Sequence, residues 1–164
     1  MIRTGLYKEA GGLPAMFFAH MEEIDLCWRL RAMGYRLAVV PQSVVMHLGG
    51  GSLPATSPRK TYLNFRNNLL LLHRNLPLNL RRRRLLRRRL LDTLAWVKYV
   101  AGLKWKHAGA IFRAHRDFRG MRSQCDDCNT RIDIPRGRPD IIVDYYLRGR
   151  RRFSDIPSSS SGRD

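Results

Sequence analysis

Acidic residues are scarce in this chain: 13 Asp and Glu stand against 31 Lys and Arg over 164 residues, a formal charge of +18 at neutral pH. The deficit is uneven. Residues 1–80 carry 9 basic and 4 acidic groups, net +5, whereas residues 81–164 carry 22 and 9, net +13. The second half therefore needs a polyanionic neighbour more than the first does, and the candidates are nucleic acid and an anionic membrane surface. Cysteine is also scarce, and three of them exclude a disulfide-built secreted scaffold. No apolar run reaches the roughly 18 residues expected of a spanning helix. Arg3, Lys8 and Glu9 interrupt the N-terminus before a signal-peptide core could form. These absences point to a reducing cytoplasm, with the chain peripheral at the inner face of the membrane. A hydrophobic content of 44% excludes wholesale disorder. The length allows one domain and a small appendage.

Several segments carry periodic patterns. Residues 13–22 are apolar and run into the acids Glu22, Glu23 and Asp25. Leu26, Leu30 and Met33 then recur at spacings of four and three, which predicts a helix ending at Gly34 in a left-handed cap. Tyr35–Val40 is predicted to be a short strand stopped by Pro41, and Val44–Met46 a second extended run leading to His47. Gly49, Gly50 and Gly51 open a loop. Residues 59–75 form a helical pattern with Leu69–Leu72 inward, ended by Pro77. From residue 78, Leu85, Leu86, Leu90, Leu91, Leu94 and Val97 keep a helical stripe with arginines largely between them. Residues 119–144 look like a polar loop, 145–153 are basic and aromatic, and 157–164 have the composition of a disordered tail.

The sharpest constellation is Phe17-Phe18-Ala19-His20-Met21-Glu22-Glu23-Ile24-Asp25. Three carboxylates lie within four residues behind an aromatic pair. A carboxylate so placed can take a proton from a hydroxyl as that oxygen attacks. The plainer alternative is that these acids are solvated capping groups in the first turn of a helix.

The string FFAHMEEIDLCWRLRAMGYRLAVVPQSVVMHLGGGS resembles the C-terminal half of the catalytic domain of glycosyltransferase family 2, of the rhamnosyltransferase-like kind. An aromatic pair, an acidic pair, Asp-Leu, Trp-Arg, Gly-Tyr, a strand ending near proline and Val-x-His before a glycine loop follow in the family's order and spacing. Gly11-Gly12 is similar to the family's loop on the acceptor side of the cleft. Val143-Asp144-Tyr145-Tyr146-Leu147-Arg148-Gly149 is similar to the tails of such proteins. The resemblance implies an α/β fold: residues 1–77 as the C-terminal half of a GT-A (Rossmann-like) domain, residues 78–118 as basic amphipathic membrane-associating helices, and residues 119–164 as a polar loop with a basic, partly disordered tail.

It also implies roles. Glu23 falls at the family's catalytic Asp and would be the general base in an inverting transfer from a nucleotide-sugar donor to a glycan or lipid-linked acceptor. Glu for Asp adds a methylene, and catalytic placement tolerates little displacement. Glu22 is the second candidate base, and Asp25 caps the helix or braces the loop. His47 falls where some members ligate a divalent cation, Mg or Mn, although a strand-ending His bonded to a loop carbonyl is the plainer reading. Arg59, Lys60 and Arg66 could neutralise the leaving diphosphate or could simply face solvent. The sequence holds no Asp-x-Asp pair, and its first Asp is Asp25. A truncated transferase, inactive alone, is the expectation.

Residues 81–91 hold seven arginines. A basic nucleic-acid-binding protein is the alternative reading, since clustered Arg neutralises phosphates. Paired leucines and the aromatics Trp96, Tyr99 and Trp105 favour a helix lying in a lipid headgroup region instead, with no nucleic acid. Cys125 and Cys128 make a lone Cys-x-x-Cys, which lacks two further zinc ligands and a thioredoxin-like context.

Overall fold

The structure, a computed structural model, describes residues 1–46, 54, 56–125 and 141–155. It divides into two units, Met1–Ile132 and Asp133–Asp164. The first unit holds helices α1 (Thr4–Glu9), α2 (Glu22–Ala32), α3 (Pro58–Asn75), α4 (Leu78–Ala101) and α5 (Trp105–Met121), with short 3-10 turns at Ala15–Phe17 and Arg122–Gln124. The second holds α6 (Ile141–Tyr146) and a 3-10 turn at Phe153–Asp155.

Among the described residues there is no β-strand. The expected α/β class, half of a Rossmann-like GT-A domain, is therefore corrected to a helical one. Tyr35–Val40 and Val44–Met46 have the composition of strands but form no regular secondary structure. A strand is held by hydrogen bonds and side-chain pairs to a neighbour, and no neighbouring strand exists among the described residues. Val39 is 89% and Met46 98% exposed as a result.

The core is built on α3. Pro58 begins it, where a missing N–H costs nothing. Leu63, Leu69, Leu70 and Leu71 are buried along it. Ala108, Ala110, Ile111, Ala114 and Phe118 of α5 are the buried counterparts. Thr61 Oγ1 lies 2.8 Å from His107 Nδ1, and the His73 and Phe118 rings meet edge to face at 5.8 Å. The two pairs occur in the same order, so α3 and α5 run in the same direction. α4 returns between them through the short connections at 76–77 and 102–104, as in other up-down bundles. Phe17 enters the same cluster from the turn before α2, and Met16, Met21 and Trp28 pack around it.

α2 ends as its sequence predicts. Gly34 has φ +90°, Tyr35 N–H donates to the Leu30 carbonyl at 3.0 Å, and Gly34 N–H donates to that of Arg31 at 3.1 Å. This pair of bonds is the Schellman closure, which favours glycine because the left-handed region crowds a Cβ.

α4 is built differently. Its one buried residue is Asp92, which pairs with Arg88 Nε at 2.7 Å and His115 Nε2 at 3.0 Å. Leu86, Leu90, Leu94 and Val97 are between 51% and 69% exposed. No helix among the described residues is long and apolar enough to cross a membrane. In the second unit, buried Asp144 accepts hydrogen bonds from Arg148 Nη1 at 3.0 Å and Arg150 Nη1 at 2.9 Å, which fold the segment after α6 back on the helix.

Candidate active site

The acid-rich turn before α2 has an unusual backbone. Phe18, His20 and Met21 have φ of 64°, 70° and 77°. For residues with a Cβ, left-handed φ costs roughly 1–2 kcal/mol each. Such a conformation persists only where its surroundings over-determine it.

Two residues of α3 do so. Asn67 is fully buried, and its Nδ2 donates toward the carbonyls of Phe17 at 2.8 Å, Ala19 at 2.7 Å and His20 at 2.8 Å. Two amide hydrogens thus serve three acceptors, so at least one is shared. Arg66 Nε donates to Asn67 Oδ1 at 2.9 Å, which aims the amide nitrogen at the turn. Arg66 Nη2 itself donates to the carbonyls of Met16 at 3.0 Å and Phe17 at 3.1 Å. The positive φ values bring these carbonyls inward, and the two side chains satisfy them.

A second brace lies under α2. Asp25 is 0% exposed. Its Oδ2 receives Arg29 Nε at 2.8 Å, its Oδ1 receives Asn75 Nδ2 at 2.7 Å, and Arg74 Nε stands 3.4 Å from Oδ1. Arg29 Nη2 also donates to the Gly12 carbonyl at 2.6 Å. The Gly11-Gly12 turn, α2 and the C-terminal end of α3 are thereby joined through one carboxylate. A buried charge is tolerated when paired and hydrogen-bonded, and Asp25 is both.

The acids above this frame are differently placed. Glu23 is exposed, and Glu22 is half-buried. Glu22 Oε2 and His20 Nε2 are shielded from solvent and meet no hydrogen-bond partner among the described residues. Arg59 is exposed, and its guanidinium lies over the Phe18 ring, 4.9 Å from the centroid, so the first turn of α3 touches the strained turn. Lys60 is half-buried beside it. Arg66 is committed to carbonyls beneath the turn. The structure therefore gathers Glu22, Glu23, Asp25, Arg59 and Arg66 around one segment. His47 and Gly49–Gly51 lie outside the described residues, as does Cys128. No three His, Cys, Asp or Glu side chains gather as a metal site among the described residues.

Asp117 of α5 extends the network. It accepts hydrogen bonds from Tyr62 Oη at 2.8 Å and Arg116 Nε at 3.0 Å. Partial burial acts to raise its pKa, but these bonds and the charges of Arg116 and Arg66 outweigh it, and the carboxyl sits below its ordinary value.

Asn67, Arg74 and Asn75 escape a motif search. The available signal was positional: Leu63, Asn67 and Leu71 share one helical face, and an amide on a leucine face asks for buried partners. No protein-family model matches the sequence, and no curated protein or solved structure matches it.

Proposed function

We propose that the chain supplies the acceptor-activating element of an inverting, family 2-type glycosyltransferase, working at an anionic membrane face. The observation that carries this reading is the strained turn at Phe18–Met21, clamped by Asn67 and Arg66 directly before Glu22 and Glu23. A chain that only needed a capped helix would have no use for three left-handed residues and five side-chain hydrogen bonds to hold them. Strain of this kind gathers where side chains are aimed for chemistry. The sequence resemblance supplies the chemistry.

In this reading Glu23 takes the proton of an acceptor hydroxyl. The acceptor oxygen forms its bond to the anomeric carbon from the face opposite the diphosphate. The bond between that carbon and the diphosphate oxygen breaks, and the electron pair leaves with the diphosphate. Arg59 offsets the charge that develops there, with Lys60 beside it. Glu22 is the alternative base. Arg66 and Asp25 position the turn and do not touch substrate. The nucleotide sugar is held by a polypeptide segment other than the described one, because no Asp-x-Asp pair occurs in the sequence. The exposed Val39, Val40, Val44, Val45 and Met46 offer such a segment an apolar surface. The arginines and exposed leucines of α4 suit a peripheral position at the inner face of the membrane.

Amide NMR of the labelled chain titrated with mono- and disaccharide acceptors tests the site. Shifts are expected at residues 18–25 and 59, and they should weaken in Glu23→Gln, while nucleotide sugars added alone should neither bind nor turn over. Saccharide shifts confined to other elements, or release of sugar from a donor by this chain alone, would refute the reading.

A further inference from the structure

A cavity of about 320 Å³ opens between α4 and the C-terminal ends of α3 and α5. Arg81, Arg82 and Arg89 reach it from α4, and Arg122 from the turn after α5. No acidic residue lines it among the described residues. Arg89 Nε is shielded from solvent and meets no acceptor there, and its guanidinium lies 5.9 Å from the Phe118 ring centroid. Arg81 Nε donates to the Leu76 carbonyl at 3.4 Å, and the like charges of Arg82, Arg89 and Arg122 around the same hollow repel each other unless an anion stands among them. The guanidinium fork matches phosphate oxygens in pairs. The remaining wall is His73 and the apolar side chains of Leu78, Leu85, Leu86 and Phe118. A fully hydrated anion would leave that wall unused.

Leu86 belongs to two features at once. It lines the cavity, and it begins the outward stripe Leu86, Leu90, Leu94 and Val97. At 1.5 Å rise per residue the stripe extends roughly 16 Å along α4 from the cavity mouth. An arginine pocket opening onto an exposed apolar stripe matches a molecule with a phosphate at one end and hydrocarbon beside it.

We propose that this cavity binds the phosphate group of an anionic membrane lipid, with the α4 stripe seated in the adjoining acyl layer. The inference rests on the membrane-face part of the functional reading and is independent of the chemistry at Glu23. It makes α4 a lipid-reading element and not only a cationic one.

Co-sedimentation of the full chain with phosphatidylcholine vesicles, with and without phosphatidylglycerol, tests it. The wild type should bind only the phosphatidylglycerol vesicles. The cavity variant Arg82→Gln/Arg89→Gln/Arg122→Gln should lose about tenfold or more in vesicle affinity. A control of equal charge loss on exposed residues elsewhere, Arg3→Gln/Arg31→Gln/Arg36→Gln, should lose less than about threefold. The exposed-stripe variant Leu86→Ser/Leu90→Ser/Leu94→Ser touches no buried residue and should also bind vesicles weakly. If the wild type ignores phosphatidylglycerol vesicles, the membrane-face reading fails together with the cavity. If it binds them and the cavity and control variants lose equally, or the stripe variant binds like wild type, the cavity proposal alone is overturned. Inorganic phosphate and a short DNA duplex serve as the remaining arms. Binding of either that is lost in the cavity variant while vesicle binding is kept would also overturn it.

Discussion

At the scale of single residues, the site depends on groups with no chemistry of their own to perform. Asn67 satisfies three carbonyls that the strained turn directs inward. Asn67→Leu keeps the volume and removes the donor, leaving buried acceptors unpaired. A loss of about 1–3 kcal/mol is expected in urea unfolding; an unchanged midpoint would show that the turn does not need the clamp. Asp25→Ala strips the shared partner from Arg29, Arg74 and Asn75. Removing one member of a buried pair costs about 3–5 kcal/mol, so a severe loss of stability is expected by the same measurement. Tyr62→Phe reports on Asp117. Because the folded carboxyl titrates below its ordinary value, its ionised form adds stability above the unfolded aspartate pKa of about 3.9, and that stability is lost as pH falls through the lower folded value. Removing the Tyr62 donor should raise the Asp117 pKa in an NMR titration. The stability gap between wild type and Tyr62→Phe should be full near pH 6 and narrow below about pH 4. A gap that widens on acidification would contradict the assignment. The acids Glu22, Glu23 and Asp25 were legible in the sequence as a motif. The clamp was not, because Asn67 is sequentially remote from the turn it holds.

At the scale of elements, periodicity located α2, α3 and α4, whereas α1 and α6, each of six residues, carry too short a pattern to show. Leu69, Leu70 and Leu71 of α3 are buried where the sequence puts them, whereas on the predicted α2 face only Leu30 is buried and Met33, just past the helix, is exposed; Gly34 closes α2 in the left-handed region. Gly34→Ala puts a Cβ at φ +90°, with no heavy atom within 4 Å to clash, so the cost is conformational alone, about 1 kcal/mol. A thermal midpoint lowered by a few degrees is expected; a raised midpoint would contradict the cap. Tyr35–Val40 reads as a strand and Val44–Met46 as an extended run in the sequence, yet neither forms a strand. Their β-branched residues state a local preference, but pairing depends on a neighbour that local composition cannot announce. The α4 stripe was legible as amphipathic, yet its direction was not. Periodicity says that one face is apolar, and only packing says that Leu86, Leu90 and Leu94 face outward while Asp92 faces in.

At the scale of the whole molecule, the charge of +18 dominates. Self-repulsion disfavours the compact state, and the screening length contracts from about 10 Å at 0.1 M salt to about 3 Å at 1 M. The thermal midpoint should therefore rise with sodium chloride, and more steeply with phosphate if the arginine cavity takes up that anion. A midpoint that falls with salt would mean that ion pairs such as Arg88–Asp92 outweigh the repulsion. The same charge explains why composition alone left nucleic acid and membrane open: both are polyanions, and only the placement of apolar groups beside the arginines separates them. The acid-rich turn belongs to the less cationic half, which sets the proposed chemistry apart from the proposed anchoring. Transfer itself is the most direct measurement. The chain is co-expressed with the donor-binding half of a family 2 enzyme, and labelled sugar moving from nucleotide to membrane acceptor is counted. Transfer by the wild-type pair is expected, with about a 10²–10⁴-fold loss in Glu23→Gln and partial retention in Glu23→Asp. Equal transfer by wild type and a Glu22→Gln/Glu23→Gln double variant, or none by the wild-type pair, would contradict a role for the acid turn in moving a sugar.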